Sequence, residues 1–418
     1  MNKLNGEERM LKLKNNRETG ITLIALVVTI VVLIILATVS INAVLGQNGI
    51  IKKAKQAKDM YSNSIAKEDE EMDELLNEMS QIQILPDGWD RDKIKPVTSK
   101  DNIVVPVPKG YVESTVEGED SVSTGFVIKE GSDGSKTEGI NEFVWVPVSN
   151  ISDIYDEANN AGQLWDFSGT TSTKRIYPAT KNDGYREPDV VTSANSGSDS
   201  TSGSKYDAVS TNLQQAGLSS TATASDFKTQ LQTEFKEMIN SVKIYGGFYI
   251  GRYETGNLSQ SKAVVQKNNS DINNINNQTW YTMYKVCKTI KANENVYTGM
   301  IWGCQWDATL RWMQTSTNSE VANFPTNSEG KGNYSGTQGS TDKVIATGSS
   351  PVYEVNNVYD MAGNVCDWTI EANYIYYRVI RGGGCTNTAS SHPALRRTYD
   401  DPSDRGNDLG CRATLYVK

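Results

Sequence analysis

Histidine is almost absent from this chain of 418 residues, in which His392 is the single example. A metal site built from two or three imidazoles is therefore excluded, and a Ser-His-Asp triad would have one candidate base. The five cysteines of the chain are Cys287, Cys304, Cys366, Cys385 and Cys411. None of them has C-x-x-C spacing, which excludes a zinc ribbon and argues against a dense disulfide framework.

Negative charge exceeds positive charge, since 50 Asp and Glu stand against 41 Lys and Arg, and the formal net charge is −9. A nucleic-acid surface needs clustered positive charge, so no nucleic-acid partner is expected. Charge of either sign is absent from residue 21 to residue 51. Residues 21–45 are mostly Ile, Val, Leu and Ala, and at about 1.5 Å per residue a helix of this length exceeds the hydrocarbon core of about 30 Å. This predicts a membrane-spanning anchor.

The start of the apolar segment has the form of a leader junction. Residues 17–24 read Arg-Glu-Thr-Gly-Ile-Thr-Leu-Ile, which resembles the junction of type IV pilin-like proteins, where a prepilin peptidase cuts after the glycine. The resemblance implies cleavage between Gly20 and Ile21 and a C-terminal body outside the membrane. Ala25 stands where the family usually has a glutamate, which weighs against assembly into a long pilus. An uncleaved signal-anchor is the alternative.

The rest of the chain divides into a stalk and a body. An apolar stripe at helical spacing continues beyond the anchor until Pro86-Asp87-Gly88 ends it. Residues 1–20 are therefore predicted to be the leader, and residues 21–85 the anchor helix and stalk. From Trp89 onward, short apolar runs between Gly and Pro predict strands, joined by a few amphipathic helices. Residues 86–418 are predicted to form one α+β domain, closed by a half-buried C-terminal strand.

Three blocks in the body resemble signatures of the formylglycine-generating-enzyme-like fold, an elaborated C-type-lectin scaffold. They are residues 357–369, with the sequence NVYDMAGNVCDWT, residues 378–383, with RVIRGG, and residues 410–412, with GCR. The resemblance implies an α+β, C-type-lectin-like fold of the formylglycine-generating-enzyme type, preceded by a long N-terminal transmembrane and stalk helix. Cys366 and Cys411 stand where the family usually has Trp and Phe, so looser packing is expected around them.

The chemistry of that family is not expected to survive in this chain. The oxidase needs two closely spaced cysteines that bind copper after the Arg-Gly-Gly block, and residues 386–409 contain none. Related iron-dependent sulfoxide synthases need three histidines, and this chain has one. We therefore expect no enzyme activity, no catalytic residue, no metal centre and no cofactor. Some relatives of the fold hold calcium, which keeps a structural calcium ion open, although no acidic group is specific enough to assign ligands.

Residues 372–409 have a composition typical of a binding surface. Tyrosine and arginine give a large contact area at modest entropic cost. In this respect the chain resembles the variable proteins of diversity-generating retroelements. Those proteins have this fold, and adenine-directed mutagenesis changes residues in the same C-terminal block. The alternative is an ordinary irregular loop whose arginines pair with its aspartates. The positions predicted to contact ligand are Tyr374, Tyr376, Cys385, Thr386, Ser391, His392, Leu395, Arg397, Asp400, Asp401, Asp404, Gly406 and Asp408.

Together these features predict a ligand-binding protein of the bacterial cell surface. The N-terminal helix would hold it in the cell membrane after processing by a prepilin peptidase, and the extracellular C-terminal face would be diversified by a retroelement. The ligand would be an unknown extracellular protein or glycan. The alternatives are a minor pilin or pseudopilin with a lectin-like adhesive domain, which Ala25 disfavours, and a formylglycine-generating oxidase, which the missing cysteine pair disfavours.

Overall fold

The structure is a computed structural model that describes residues 26–36, 85–167, 172–174, 185–191, 206–259, 262–267, 273–290, 293–315, 321–336 and 342–418. The chain divides into two compact units, Met1–Ile84 and Leu85–Lys418. In the first unit residues 26–36 are helical with exposed apolar side chains. Over the described residues, no helix combines the length and hydropathy that crossing a membrane requires. The predicted cleavage site at Gly20 and Ile21, the predicted stalk, and the remainder of residues 21–45 lie outside the described residues.

Within its described residues, the second unit contains four α-helices and many short strands. Helices α1–α4 are Ser210–Gln215, Ala224–Tyr245, Trp280–Cys287 and Gly303–Gln314, and two 3-10 helices are Ile151–Asp153 and Pro351–Tyr353. Strands β1–β11 are Ile94–Thr98, Val104–Pro108, Tyr111–Glu113, Val127–Glu130, Glu142–Pro147, Tyr155–Asp156, Ala161–Gly162, Trp165–Asp166, Thr173–Lys174, Tyr185–Arg186 and Gly247–Gly251. Strands β12–β22 are Gly256–Ser259, Lys262–Val264, Asn273–Asn274, Val296–Met300, Glu354–Val355, Val358–Tyr359, Cys366–Asn373, Tyr377–Arg381, Arg397–Asp400, Leu409–Cys411 and Ala413–Val417.

A six-stranded sheet with the order β15-β22-β11-β5-β4-β3 forms one half of this unit. The C-terminal strand β22 pairs antiparallel with both β15 and β11. The alternation of residues 411–418 predicted a half-buried strand, whereas all of Ala413–Val417 is buried. The polar side chains are covered as well, because α2 packs on this sheet and Thr414 Oγ1 lies 3.1 Å from Gln305 Oε1 of α4. The prediction of a strand is confirmed, and that of an exposed face is wrong.

Helix α2 has the amphipathic pattern that the sequence indicates, with Phe227, Leu231 and Met238 buried. Its N-cap is Thr223, which forms a capping box with Asp226. Asp226 is the third residue of the helix, and its side chain accepts a hydrogen bond from the backbone amide of Thr223. Gly246 ends the helix with a φ of 78°, a left-handed conformation that glycine adopts without strain.

A second sheet carries the signature blocks. Its strands run in the order β10-β18-β19-β20, and β21 pairs parallel with β18. The segment between β19 and β21 is loop apart from β20, which pairs on one side with β19. This sheet therefore positions the whole of residues 372–409, where the sequence places the ligand contacts.

The signature arginines are structural. Arg378, Arg381 and Arg412 are all buried, and each is paired with an aspartate on another element. Arg378 Nη2 lies 2.6 Å from Asp207, and its guanidinium lies 4.2 Å from the ring centroid of Trp280. These pairs join the second sheet to the rest of the core, which gives the Arg-Gly-Gly and Gly-Cys-Arg blocks a structural role.

Candidate ligand-binding face

Four tyrosines lie at the turn between β18 and β19, at the start of β19 and on the neighbouring strand β20. We call Tyr374, Tyr376, Tyr377 and Tyr399 the tyrosine patch. Tyr374 and Tyr399 are 39% and 49% exposed. The ring centroids of Tyr377 and Tyr399 lie 4.8 Å apart, and those of Tyr376 and Tyr377 lie 6.1 Å apart. Packed and exposed tyrosines offer a rigid apolar surface with hydroxyl groups at its rim.

Local backbone geometry presents this patch. Tyr374 occupies the turn with a φ of 53°, a conformation that residues with a Cβ adopt rarely. Tyr399 lies opposite Val379 in the register of β19 and β20, on the same side of the sheet as Tyr377. Tyr377 and Tyr399 were absent from the predicted site, because their proximity follows from the register of β19 and β20, which a single sequence does not show.

Residues 386–395 form a loop next to this sheet. Thr386 and Ser391 are exposed, and His392 is half-buried. Ser391 Oγ lies 2.9 Å from His392 Nδ1, and burial together with Arg396 lowers the pKa of His392. Leu395 is partly buried against the core. Four of the predicted contact positions therefore lie together, with three polar side chains at or near the surface.

The acidic positions lie at the other end of the segment. Asp400, Asp401, Asp404, Gly406 and Asp408 are all partly exposed. Burial, together with a hydrogen bond and negative charge from Asp404, raises the pKa of Asp400 to about 6. Asp408 accepts a hydrogen bond of 3.1 Å from Thr386 Oγ1, which connects this end of the segment to its beginning. No described group of three or more His, Cys, Asp or Glu side chains could hold a metal ion.

Backbone atoms, more than side chains, hold the segment in place. Cys385 N donates to Asn364 O at 2.9 Å, and Leu395 N donates to Pro325 O at 2.9 Å. Further along, the carbonyl oxygens of Pro402, Gly406 and Asp408 accept bonds from the backbone amides of Trp280, Asn277 and Cys366 at 3.0, 2.8 and 2.7 Å. Such bonds form with almost any side chain at these positions. The loop can therefore keep its course while its exposed side chains change.

Side chains of the surrounding core also form hydrogen bonds with the backbone of this segment. Tyr334 donates its hydroxyl to His392 O at 2.7 Å, and Trp306 Nε1 donates to Ala394 O at 3.0 Å. Both rings are fully buried. Part of what holds the segment is therefore supplied by aromatic side chains outside it, which do not change when its exposed side chains change.

Two predicted contact positions are not presented at the surface. Cys385 is 2% exposed. The Arg397 side chain is 9% exposed and points into the protein, where its Nη2 lies 2.8 Å from Asp307 Oδ2 and its Nε lies 3.1 Å from the Glu371 carboxylate. Arg397 is the one member of the predicted set that pairs with carboxylates of the core. This pairing differs from the ordinary-loop alternative, in which the arginines pair with aspartates of the segment itself, because Asp307 and Glu371 lie outside residues 372–409.

Arg397 belongs to a buried network of five charged side chains. Arg381 also pairs with Asp307, and Glu187 accepts hydrogen bonds from the backbone amides of Gly303 and Cys304 at 2.7 and 2.9 Å. Burial raises the pKa of Glu371 and of Glu187, whereas Asp307, although also buried, has a pKa lowered by Arg397 and Arg381. Burial and repulsion from Arg397 lower the pKa of Arg381 to about 10. The network lies beneath β20 and supports it.

Comparison with known proteins gives one family match. Residues 301–415 match the family described as the sulfatase-modifying factor enzyme 1-like domain. This stretch contains the three signature blocks and the whole of residues 372–409. The formylglycine-generating-enzyme-like domain expected from the sequence is therefore confirmed over this part of the chain. No curated protein is similar in sequence.

Several solved structures are similar. Treponema denticola variable protein 1 has 16% sequence identity and a TM-score of 0.29, with 68% of this chain and 98% of that chain covered. The crystal structure of CarF gives 14% identity and a TM-score of 0.29, covering 41% of this chain and 87% of that one. PvdO from Pseudomonas aeruginosa gives 16% identity and a TM-score of 0.27, covering 41% and 82%.

Proposed function

We propose that this chain is a membrane-anchored protein of the bacterial cell surface that binds ligands through a C-terminal face diversified by a retroelement. The observation that carries the proposal is how the segment from Cys385 to Asp408 is held. Backbone hydrogen bonds and buried aromatic side chains fix its course, while eight of its side chains are exposed. A rigid support with replaceable side chains allows recognition to change without refolding.

The eight exposed positions in this segment are the ones that we propose to be exchangeable. They are Thr386, Thr388, Ser390, Ser391, Arg396, Tyr399, Arg405 and Asn407. The partly exposed Asp400, Asp401, Asp404, Gly406 and Asp408 border them. Arg397 and Cys385 are excluded from this set, because their side chains are directed into the protein.

The ligand that fits this face is an extracellular protein or glycan. The tyrosine patch supplies a broad apolar platform, and the acidic group from Asp400 to Asp408 lies at the far end of the segment. Such a mixture of aromatic and charged side chains is typical of surfaces that bind macromolecules. The N-terminal helix would hold the chain in the membrane after processing by a prepilin peptidase, which places the face outside the cell.

We propose a binding role without catalysis. The block after Arg381-Gly382-Gly383 contributes a single cysteine, Cys385, and two thiolates are needed for the copper chemistry of the oxidase. The buried charges around Arg397 have one another as partners, so they serve stability. No cofactor is proposed.

Sequencing the DNA downstream of the coding region tests the diversification. We expect a near-copy of the coding end that differs chiefly at adenines, next to a reverse-transcriptase gene. The codons that contain these differences should encode the exposed positions, and the codons of residues 378–383 and 409–418 should be identical in both copies. The absence of any near-copy, or differences spread evenly over exposed and buried positions, would contradict the proposal.

A further inference from the structure

Two of the five cysteines meet in the core although they lie far apart in the sequence. Cys287 is the last residue of α3, and Cys411 is the last residue of β21. Their Sγ atoms lie 3.6 Å apart, and both residues are fully buried. A disulfide has a sulfur–sulfur distance of about 2.0 Å, so a small movement of two side chains already in contact would form the bond.

The surroundings of the pair show what a cross-link would hold. Thr255 N donates to Cys411 O at 2.9 Å, and Thr255 Oγ1 lies 4.0 Å from Cys287 Sγ. Cys411 also lies opposite Trp368 in the parallel pairing of β21 with β18. The sequence predicted loose packing at Cys411 because the family usually has a phenylalanine there. In the structure the sulfur of Cys287 lies against that position, so that two sulfur atoms meet where a ring is expected.

We propose that Cys287 and Cys411 are a disulfide-forming pair that cross-links α3 to the strand closing the exchangeable segment. This inference rests on the proposed location outside the cell, where disulfides persist. Strand β21 begins at Leu409, two residues after Asn407, the last exchangeable position. A covalent bond at its end would hold this side of the segment in place whatever side chains the segment carries.

The reaction is a thiol–disulfide exchange with a small-molecule or protein disulfide as oxidant. One cysteine thiolate attacks a sulfur of oxidised glutathione, which forms a mixed disulfide and releases one glutathione. The second thiolate attacks the protein sulfur of the mixed disulfide, which forms the bond between Cys287 and Cys411 and releases the second glutathione. The two thiol protons pass to the two glutathione molecules, and the oxidant takes up two electrons. Burial raises the pKa of Cys411, so we expect the exchange during folding, before α3 covers the pair.

Peptide mapping without reduction tests the pairing. The full-length chain in detergent is refolded in a mixture of reduced and oxidised glutathione, alkylated and digested, and its peptides are identified by mass spectrometry. We expect a peptide that joins Cys287 to Cys411, and a midpoint of thermal unfolding about 5–10 °C above that of the reduced chain. Free alkylated Cys287, or Cys287 joined to any other cysteine, would overturn the inference.

Two further samples separate this inference from the proposed function. The variant Cys304→Ser removes another buried thiol and should keep both the cross-linked peptide and the thermal shift. Loss of the cross-link in Cys304→Ser would overturn the pairing. Protein isolated from cells should also carry the cross-link. A cross-link that forms on refolding but is missing in protein from cells would support the pairing and contradict the location outside the cell.

Discussion

Replacing Arg397 with alanine is expected to lower the free energy of unfolding by about 3–5 kcal/mol, because it leaves two buried carboxylates with too few cations. Asp307 and Glu371 are fully buried, and Arg397 contacts both of them. Among the described residues, Arg381 would then be the remaining guanidinium that interacts with Asp307 and Glu371. Chemical denaturation with urea, followed by tryptophan fluorescence, measures the loss. An exposed contact residue at this position would give almost none.

The loss of stability in Arg397→Ala is expected to increase with pH. Without Arg397 the folded-state pKa of Glu371 rises further above its unfolded value, since Arg397 is the strongest influence that lowers it. A carboxyl whose pKa is raised by folding destabilises the fold more as the pH increases through the folded pKa. The difference between wild type and Arg397→Ala should therefore be larger at pH 8 than at pH 5.

The neighbouring Arg396 provides a matched control. It is exposed, so that Arg396→Ala should change the free energy of unfolding by no more than about 0.5 kcal/mol at any pH. Equal effects of the two substitutions, or an Arg397→Ala effect that does not vary with pH, would contradict the assignment of Arg397 to the core.

Replacing Arg412 with alanine is expected to remove about 4 kcal/mol or more, which is most of the stability of many domains. The Arg412 guanidinium is fully buried and donates to Gly251 O at 3.0 Å, Tyr359 O at 2.8 Å and Asp360 O at 2.9 Å. Its Nε also lies 3.4 Å from Asp367 Oδ2. The substitution would remove the donors that Arg412 provides to three carbonyl oxygens and one carboxylate in the core. We expect most of the protein to be insoluble or unfolded by circular dichroism.

Two further variants test the structural role of Arg412. Lys418→Ala, at the exposed end of the chain, should be almost neutral. Arg412→Lys keeps the charge opposite Asp367 but loses the planar fork of donors, so its stability should lie between those of wild type and Arg412→Ala. Wild-type stability in Arg412→Ala would show that the Gly-Cys-Arg block has no structural role.

Local sequence patterns predicted the parts of the fold that depend on neighbours in the chain. The apolar face of α2 and the strand at residues 413–417 follow from periodicity, and the signature blocks indicate the fold itself. The burial of both faces of β22 could not be predicted, because α2 and α4 cover it from distant positions in the chain. Alternation indicates a polar face, but it does not show whether another element covers that face.

For the candidate site, too, the sequence does not show which side chains are covered by distant parts of the chain. Composition and resemblance located residues 372–409, and most of their polar side chains lie at or near the surface. Arg397 was grouped with them because it sits between exposed neighbours, whereas its partner Asp307 lies 90 positions away in the sequence. Similarly, Cys287 and Cys411 are separated by 124 positions. Contacts of this range follow from the tertiary fold and leave no periodic signal in a single sequence.

The central claim is that the side chains at the exposed positions can be exchanged, and two surface-display libraries of variants test it most directly. One library randomises the eight exposed positions from Thr386 to Asn407, and the other randomises the buried Cys385, Ala389, Ala394 and Arg397 in the same full-length chain. Protease resistance reports folding, and selection against a panel of unrelated proteins and glycans reports binding. We predict that most members of the first library fold and that some bind different targets, while most members of the second do not fold. Equal folding losses in the two libraries, or no binder from the first, would contradict the claim.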